Sequence, residues 1–309
     1  MLKTDKVAIL LATYNGEKYI KEQLDSIIGQ SFSDWHLLIH DDGSKDETVK
    51  IIKEYEEKFP EKISILEGAP QGGAKKNFFY LMKNVDAPYI MFADQDDVWL
   101  KDKVKLSVEK MLEAEKEIGS DKPILVFADL KVVDEKLEVI SESMNKFQSL
   151  DPKRVKPENL MIQNVVTGCT SLINKKLLEL SVKECDLSKV IMHDWWYALI
   201  AAEFGKVSYL DEAVILYRQH GDNSVGAKDV NSAEYAINKL KKSDEIKESL
   251  KLTRIQAGEF AKTFGLKDSL FDEYSKLSEK GKLERLNFYK KYDVKKTNRS
   301  RNIGLTIWG

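Results

Sequence analysis

The sequence predicts an α/β protein, a mostly parallel β-sheet flanked by helices, with a helical extension at the C-terminal end. Short apolar runs of strand length alternate with helical patterns over residues 7–93. Polar clusters follow three of these runs, as they do at strand ends. From about residue 230 the pattern becomes charged and only loosely apolar at helical spacing. Together these features favour βαβ crossovers followed by surface-packed helices.

The predicted elements follow in chain order. Apolar runs at 7–12, 37–40, 63–66 and 89–93 predict buried strands, and apolar residues at helical spacing predict helices at 18–28, 46–59 and 75–84. Further on we expect a helix at 103–118, strands at 124–130 and 132–133 leading to a hairpin turn at 134–135, and a short strand at 172–173. A helix at 194–204, a strand at 214–217 and helices at 233–250, 252–264 and 269–292 complete the chain. We divide it into an α/β domain at 1–226 and a helical region at 227–309.

Composition limits the class of protein. The chain has 309 residues, of which 42% are hydrophobic and 32% charged, so a disordered chain is excluded. The net charge of −2 argues against a nucleic-acid partner. Apolar runs are too short for a membrane span, and the start of the chain does not resemble a signal peptide. Cys169 and Cys185 are expected to be free thiols in a reducing compartment, which indicates a cytoplasmic protein.

The C-terminal end is basic. Lysines and arginines outnumber acids over residues 226–309, and the last residues include Ile303, Leu305, Ile307 and Trp308. Basic and apolar side chains with a terminal tryptophan suit contact with an anionic membrane surface. A solvated helix face is an equal alternative, and a homodimer contact is another.

Three polar clusters follow predicted parallel strands, at residues 13–17, 41–44 and 94–97. The carboxyl ends of such strands lie at one edge of the sheet, where ligands bind. Asp94 and Asp96 offer hard oxygen ligands for Mg²⁺ or Mn²⁺ beside a phosphorylated substrate, although an Asx-turn capping the next segment is the alternative. Neither a dinucleotide-binding nor a P-loop glycine motif is present.

The other two clusters can take a nucleotide base. Asp41 and Asp42 either cap the following helix or accept the imide N–H of uracil or thymine, and position alone does not decide between these roles. Tyr14 can stack on a base or pack on a helix, and Thr13 and Glu17 can reach the same ligand.

Later residues add candidates of a different kind. Lys75 and Lys76 open a helix whose N-terminus can meet a phosphate, although lysines are usually solvated. Asp194 is either a helix N-cap or a general base whose pKa is raised by burial among tryptophans. His220 is a possible metal ligand or a structural residue, and Arg218 a possible diphosphate clamp.

The ordered motifs VAILLATYNG, DDGS, DQDDVW, HDWW and YRQH over about residues 5–226 resemble the family 2 glycosyltransferases of GT-A fold. Within that family the chain is similar to bacterial rhamnosyltransferases of polysaccharide synthesis. The resemblance implies a nucleotide-sugar site, an inverting general base, an acceptor loop and a divalent metal, either Mg²⁺ or Mn²⁺. For the donor it implies Thr13, Tyr14, Glu17 and Asp42 at the base, with Asp41 a close competitor, Asp94 at the ribose or donor side, and Lys76 where the family often has arginine. For the remaining roles it implies Asp96 and His220 at the metal, Asp194 as the base, and Thr167, Gly168, Trp195 and Trp196 near the acceptor.

The function implied is transfer of a sugar, with L-rhamnose from dTDP-rhamnose favoured, to a lipid-linked glycan acceptor in cell-wall or capsule synthesis. The enzyme would then act as a peripheral protein at the inner face of the plasma membrane. Alternatives are a transferase of the same fold that uses a UDP-sugar (glucose, galactose or N-acetylglucosamine) and a non-catalytic sugar-nucleotide binding module. A nucleotidyltransferase is disfavoured because residues 13–16 lack the glycine-rich, basic signature expected after the first strand.

Overall fold

A nine-stranded mixed sheet forms the centre of the molecule in the computed structural model, which describes residues 2–3, 7–221 and 243–308. Its strands run in the order β4-β3-β2-β6-β10-β8-β11-β7, and β9 pairs with β8. Their bounds are β2 Val7–Thr13, β3 Trp35–Asp41, β4 Ile63–Ile65, β6 Tyr89–Ala93, β7 Val98–Trp99, β8 Ile124–Val133, β9 Val139–Ser141, β10 Leu172–Asn174 and β11 Lys206–Arg218. The short strands β1 (Leu2–Lys3) and β5 (Val85–Asp86) pair separately.

The first half of the sheet is parallel, as the alternating pattern predicts. β4, β3, β2 and β6 are all parallel neighbours, joined by α1 (Ile20–Ile28), α2 (Thr48–Lys58) and α3 (Ala74–Lys83). Side chains of β2 alternate between two hydrophobic clusters: Val7, Ile9 and Leu11 face one, and Ala8 and Leu10 face the other. Helices therefore cover both faces, which explains why the strands read as continuous apolar runs.

The second half of the sheet is mixed. β10 lies antiparallel between β6 and β8, while β8 and β11 are parallel and β7 is antiparallel to β11. The two strands predicted at 124–133 are one continuous strand, which turns back through residues 134–138 into β9. Because β10 has only three residues, sequence alone indicates its presence but not its direction.

Helices α4 (Lys103–Ile118), α5 (Met144–Phe147), α6 (Pro157–Leu160), α7 (Lys175–Ser181) and α8 (His193–Phe204) complete the α/β part. Helix α8 is apolar around most of its circumference, because it lies between the sheet and the C-terminal helices. Trp196 of α8 packs edge-on against Phe260, with 5.5 Å between ring centroids. The helix that begins next to the predicted catalytic residue is thus held from both sides.

The C-terminal helices are α9 (Ser243–Phe264), α10 (Leu270–Ser275), α11 (Lys282–Lys291) and α12 (Arg299–Trp308). The prediction of a helix break near residue 251 was wrong, since α9 runs through it. The single helix predicted at 269–292 is interrupted by a 3₁₀ turn at Leu277–Glu279 and by Gly281, the N-cap of α11. The predicted helix at 233–250 lies partly, and the domain boundary at 226/227 wholly, outside the described residues. None of the described helices is long and apolar enough to cross a membrane.

Candidate active site

The carboxyl ends of β2, β3 and β6 lie together, as their parallel order predicts. The β2–β3 pairing continues to Thr13 opposite Asp41, and the Thr13 hydroxyl donates to that carboxylate at 2.8 Å. From the β6 side, the Gln95 side chain accepts from the Tyr14 backbone N–H at 2.8 Å and donates to the Tyr14 carbonyl at 2.9 Å. A Cβ on Gly16 would come within 2.4 Å of the Gln95 side-chain oxygen, so a larger residue here would displace that side chain from its two hydrogen bonds to Tyr14. The loops that follow β2, β3 and β6 therefore lie together at one edge of the sheet.

Asp41 and Asp42 have different surroundings. Asp41 accepts four hydrogen bonds, from the hydroxyls of Thr13 and Ser44 and from the backbone N–H groups of Gly43 and Ser44. A carboxylate has about four lone-pair sites, so Asp41 is fully used in shaping its turn. Asp42 accepts from three backbone N–H groups of residues 71–73, which leaves about one site. The geometry therefore favours Asp42 over Asp41 for a ligand contact.

The remaining residues of the predicted base pocket lie on this rim. The Tyr14 side chain is 53% exposed, which leaves its ring accessible to a stacking partner. The Glu17 carboxylate accepts from the Glu47 backbone N–H at 2.8 Å and so fixes the start of α2. Thr13 is buried and its hydroxyl donates to Asp41, which makes it a support for the loop rather than an exposed ligand contact.

Asp96 and His220 meet at the end of β11. The His220 Nε2 atom lies 2.7 Å from the Asp96 Oδ2 atom, and the two side chains are 8% and 15% exposed respectively. The Tyr19 ring packs on the imidazole with centroids 4.8 Å apart. A carboxylate oxygen and an imidazole nitrogen thus point to one place although 124 residues separate them. This donor pair suits a divalent cation of the Mn²⁺ or Mg²⁺ type, so the residues present fit the implied metal.

Arg218 has a supporting position that corrects the predicted diphosphate contact. Its side chain is 2% exposed, and its guanidinium donates to the backbone carbonyls of Asp96 and Glu135 at 3.0 and 2.6 Å. It also pairs with Glu22. Burial of a guanidinium under these acceptors holds the Asp96 loop in place and leaves little surface for a phosphate.

A second group of acidic side chains lies in the loop that follows β6. One oxygen each from Asp94 and Asp97 and the Cys169 sulfur lie within 4.8 Å of one another. Burial, together with the neighbouring charges of Asp96 and Asp194, raises the pKa of Asp94 to about 7. Burial likewise raises the pKa of Asp97, whose carboxylate is fully buried, and lowers that of Lys103 to about 7. A buried thiol and a buried lysine do not suit a hard cation, so the metal fits Asp96 and His220 better.

Sequence reasoning missed the roles of Asp97, Lys103, Cys169 and His193. The Lys103 ammonium lies 3.6 Å from the centroid of the Trp99 ring, so an aromatic face stabilises this buried cation. The third acid in DQDD could have indicated a buried counter-charge. A lysine within an amphipathic helix and a lone cysteine carry no such signal.

Asp194 lies in the first turn of α8 and is partly exposed. Its carboxylate accepts from the Gly168 backbone N–H at 3.2 Å and from the Trp195 backbone N–H at 2.5 Å. Burial raises the pKa of Asp194 to about 7, although these hydrogen bonds oppose the change. Its charge also raises the pKa of Asp94, which places the predicted base beside the acidic loop of β6. A carboxylate with a pKa near neutrality can accept a proton in this setting.

His193, which directly precedes Asp194, is buried in the core. Its ring stacks on Phe78 with centroids 4.2 Å apart, and burial lowers its pKa to about 3. A neutral imidazole therefore lies against the loop of Gly168, where an added Cβ would meet His193 Nε2 at 3.2 Å. A side chain at position 168 would therefore require His193 or the loop to move by a few tenths of an ångström.

The two tryptophans differ. The Trp195 indole N–H donates to the Leu160 carbonyl at 2.5 Å, and the side chain is only partly buried, so part of it can line an acceptor cleft. Trp196 is fully buried against the C-terminal helices, so its predicted acceptor contact was wrong. Successive helical residues are rotated by about 100°, which sends Trp196 to a different face from Asp194. Thr167 is partly exposed and directly precedes Gly168.

The two lysines of α3 also differ. Lys75 donates to the carbonyls of Leu187 and Val190 and thereby holds the segment that leads into α8. Lys76 is exposed in the first turn, after the positive-φ glycines Gly72 and Gly73. Of the pair, Lys76 is the one exposed to solvent, and its contact with a phosphate stays a prediction.

Comparisons with known proteins identify similar chains. A family model described as glycosyl transferase family 2 matches residues 8–179. The chain is 33% identical over 237 residues to the dTDP-rhamnosyl transferase RfbG of Shigella flexneri, covering 73% of this chain and 76% of that protein. It is also 33% identical over 107 residues to the putative teichuronic acid biosynthesis glycosyltransferase TuaG of Bacillus subtilis, covering 35% and 42%.

Solved structures share the fold. S. aureus TarS 1–349 in complex with UDP-GlcNAc matches with a TM-score of 0.54 and 20% identity, covering 93% of this chain and 79% of that chain. The mannosyltransferase PcManGT from Pyrobaculum calidifontis, in complex with GDP-Man and Mn²⁺, matches with a TM-score of 0.51 and 14% identity, covering 98% and 86%. The expected GT-A fold with a C-terminal helical region is confirmed.

Proposed function

Because the chain belongs to glycosyl transferase family 2, we propose that it is an inverting glycosyltransferase that moves L-rhamnose from dTDP-rhamnose to a glycan acceptor. The observation that carries the proposal is Asp194, a carboxylate with a pKa near 7 beside the acidic loop that follows β6. The 33% identity with RfbG supports the choice of rhamnose. A UDP-sugar donor is the alternative, supported by the fold shared with TarS, which was solved with UDP-GlcNAc.

The donor is held by the edge of β2, β3 and β6. Asp42 accepts the imide N–H of thymine with its remaining lone pair, and Tyr14 stacks on the ring. Glu17 and Thr13 shape the loop, Asp94 faces the donor, and Lys76 adds charge near the diphosphate. Asp96 and His220 would hold the cation. When bound, it supplies positive charge that offsets the charge developing on the leaving diphosphate.

Asp194 performs the proton transfer. Its carboxylate removes the proton of an acceptor hydroxyl as that oxygen attacks the anomeric carbon from the face opposite dTDP. The new C–O bond forms while the bond to the diphosphate oxygen breaks, which inverts the anomeric centre. Gly168 donates to the carboxylate and orients it, and Thr167 and Trp195 line the acceptor side.

The test is a donor panel with the full-length protein. Purified enzyme is incubated with dTDP-rhamnose, dTDP-glucose, UDP-glucose, UDP-galactose and UDP-N-acetylglucosamine, with and without a lipid-linked glycan acceptor, and released nucleotide diphosphate is measured. We expect the highest kcat/KM with dTDP-rhamnose, by tenfold or more. Equal or faster use of a UDP-sugar would overturn the rhamnose assignment. Tight binding without turnover of any donor would favour the non-catalytic module.

We also propose that the acceptor is lipid-linked and that α12 contacts the inner face of the plasma membrane. Ile303 and Ile307 are 59% and 49% exposed on this basic helix, whereas Leu305 is buried against the protein. Truncation would remove Leu305 packing, so the sharper test is the double substitution Ile303→Ser and Ile307→Ser. We expect it to reduce flotation with anionic liposomes, while the control Leu283→Ser, at a residue 73% exposed on α11, does not. Equal flotation of all three proteins would refute the contact, and a size measurement in solution would then test a homodimer.

A further inference from the structure

A cavity of about 520 Å³ lies between α9 and the segment that contains α10 and the 3₁₀ turn at Leu277–Glu279. Its lining includes Arg254, Lys251 and Lys262 from α9, Lys189 from the segment before α8, and the hydroxyl-bearing Ser275 and Ser278. None of its lining residues belongs to the nucleotide-sugar site. The volume is in the range of sites that take small organic ligands.

The lining is strongly positive. Four cations face a single lining carboxylate, Glu259, which is 3% exposed. Glu259 is itself occupied, because it accepts from the Asp186 backbone N–H at 2.9 Å and contacts Lys189 at 3.4 Å. Lys189 also lies 3.4 Å from Asp186, Lys262 lies 3.9 Å from Glu259, and Lys251 pairs with Glu248. Asp186 and Glu248 do not line the cavity, so its lining holds four cations and one carboxylate. A net positive charge therefore faces the cavity.

Arg254 is the central feature of this cavity. It is 9% exposed, and its Nε atom has no hydrogen-bond partner among the described residues. Its guanidinium donates to the Tyr289 hydroxyl at 3.5 Å, and no described carboxylate pairs with it. A buried guanidinium is costly unless an anion and hydrogen-bond acceptors compensate it. The described residues provide the Arg254 guanidinium with no anion and with an acceptor for only part of its N–H groups.

We propose that this cavity binds the phosphate group of a phosphorylated ligand, separately from the sugar donor. The planar fork of Arg254 matches two phosphate oxygens, and flexible lysines add point charges around them. The exposed Ser278 hydroxyl adds a neutral donor. Ile255 and the aliphatic stems of the lysines give the remaining volume an apolar wall for the organic part of the ligand.

The first test uses inorganic diphosphate and the full-length protein in EDTA, with binding followed by calorimetry. We expect Arg254→Gln and the double variant Lys251→Gln/Lys262→Gln each to bind at least tenfold more weakly. The control Lys267→Gln/Lys282→Gln changes two exposed lysines outside the cavity and should bind as wild type. Lys251 and Lys262 are 64% and 74% exposed, so the double variant stays informative if Arg254→Gln unfolds.

A substitution in the proposed donor site shows whether diphosphate binds in the cavity or at the donor site. Asp96→Asn should leave diphosphate binding in EDTA unchanged, and failure of the proposed sugar transfer would not alter this result. Affinity within twofold of wild type in both cavity variants, or an equal loss in the control, would overturn the proposal.

Two further probes distinguish the sources of the phosphate. Glucose 1-phosphate represents a soluble ligand, and phosphatidylcholine vesicles containing phosphatidic acid represent a lipid headgroup. Competition with diphosphate by one of them, lost in the double variant, would assign the source. Failure of both to compete at millimolar concentration would overturn the proposal for an organic phosphate.

Discussion

Asp194→Asn tests the central assignment. The substitution keeps the size of the side chain and removes its ability to accept a proton, so we expect kcat to fall by about 10²–10⁴-fold, the usual contribution of a general base. Donor affinity should stay within about twofold, because the Asp194 carboxylate is hydrogen-bonded to the loop at Gly168 and to its own helix. Turnover is measured as dTDP release from dTDP-rhamnose and donor binding by calorimetry. Transfer within a few-fold of wild type would refute the role.

The same variant gives a second, independent readout in stability. Burial raises the pKa of Asp194 from 3.8 to about 7, so between these values the folded protein holds a proton that the unfolded chain has released. The stability from this proton is complete below about pH 4 and is lost as the pH rises through about 7. The difference in pKa corresponds to roughly 4 kcal/mol at most, and partial hydration reduces it to about 1–2 kcal/mol.

Asparagine does not titrate, so the Tm of Asp194→Asn relative to wild type should rise between pH 5 and pH 8 by about 2–6 °C. Comparing the two proteins at each pH cancels the contribution of groups that titrate alike in both. The charge of Asp194 raises the pKa of Asp94, so the substitution also changes the titration of Asp94, and this change will contribute to the Tm difference. The activity of wild type should rise through about pH 7 as the carboxylate forms. A Tm difference that does not change with pH would contradict a buried, neutral Asp194.

Three other substitutions test different parts of the site. Asp96→Asn should abolish the effect of EDTA on donor binding, measured by calorimetry, and an unchanged EDTA effect would contradict the metal assignment. Asp42→Ala should release the loop at residues 71–73, giving faster amide hydrogen exchange at Gly72 and at least tenfold weaker donor binding; equal exchange and affinity would count against both contacts. Trp196→Ala should lower the free energy of unfolding by about 3–5 kcal/mol with an unchanged acceptor KM. A changed KM without lost stability would restore an acceptor role.

Much of the site could be predicted because it depends on the topology of the sheet. Parallel strands place their carboxyl ends together, so the clusters after β2, β3 and β6 had to meet. Sequence position alone could not decide whether Asp41 or Asp42 contacts the ligand, because the answer depends on which backbone N–H groups turn towards each carboxylate. In the structure, Asp41 accepts four hydrogen bonds, from its own turn and from Thr13, and Asp42 holds a loop 29 residues away.

Residues that act through burial were harder to predict. Trp196 and Trp195 are adjacent in sequence, and only the position of α9 decides that one of them is a core residue. The sequence pattern predicts that Lys103 is a surface lysine of an amphipathic helix. In the fold it lies beside the acidic loop, with its ammonium against the face of the Trp99 ring. Arg218 ends a strand, near where ligand residues lie, but it is buried and its guanidinium donates to Asp96, Glu135 and Glu22. Such roles depend on tertiary neighbours that no local pattern specifies.

The contact between Trp196 and Phe260 has a consequence for engineering. Because α8 carries Asp194 at one end and packs on α9 along its side, we expect the position of Asp194 to depend on the C-terminal helices. A chimera that joins the α/β part of this protein to the C-terminal region of a relative would need to transplant the matching aromatic surface of α8 as well. Without that matching surface, we expect chimeras made to exchange acceptor preference between family members to misfold.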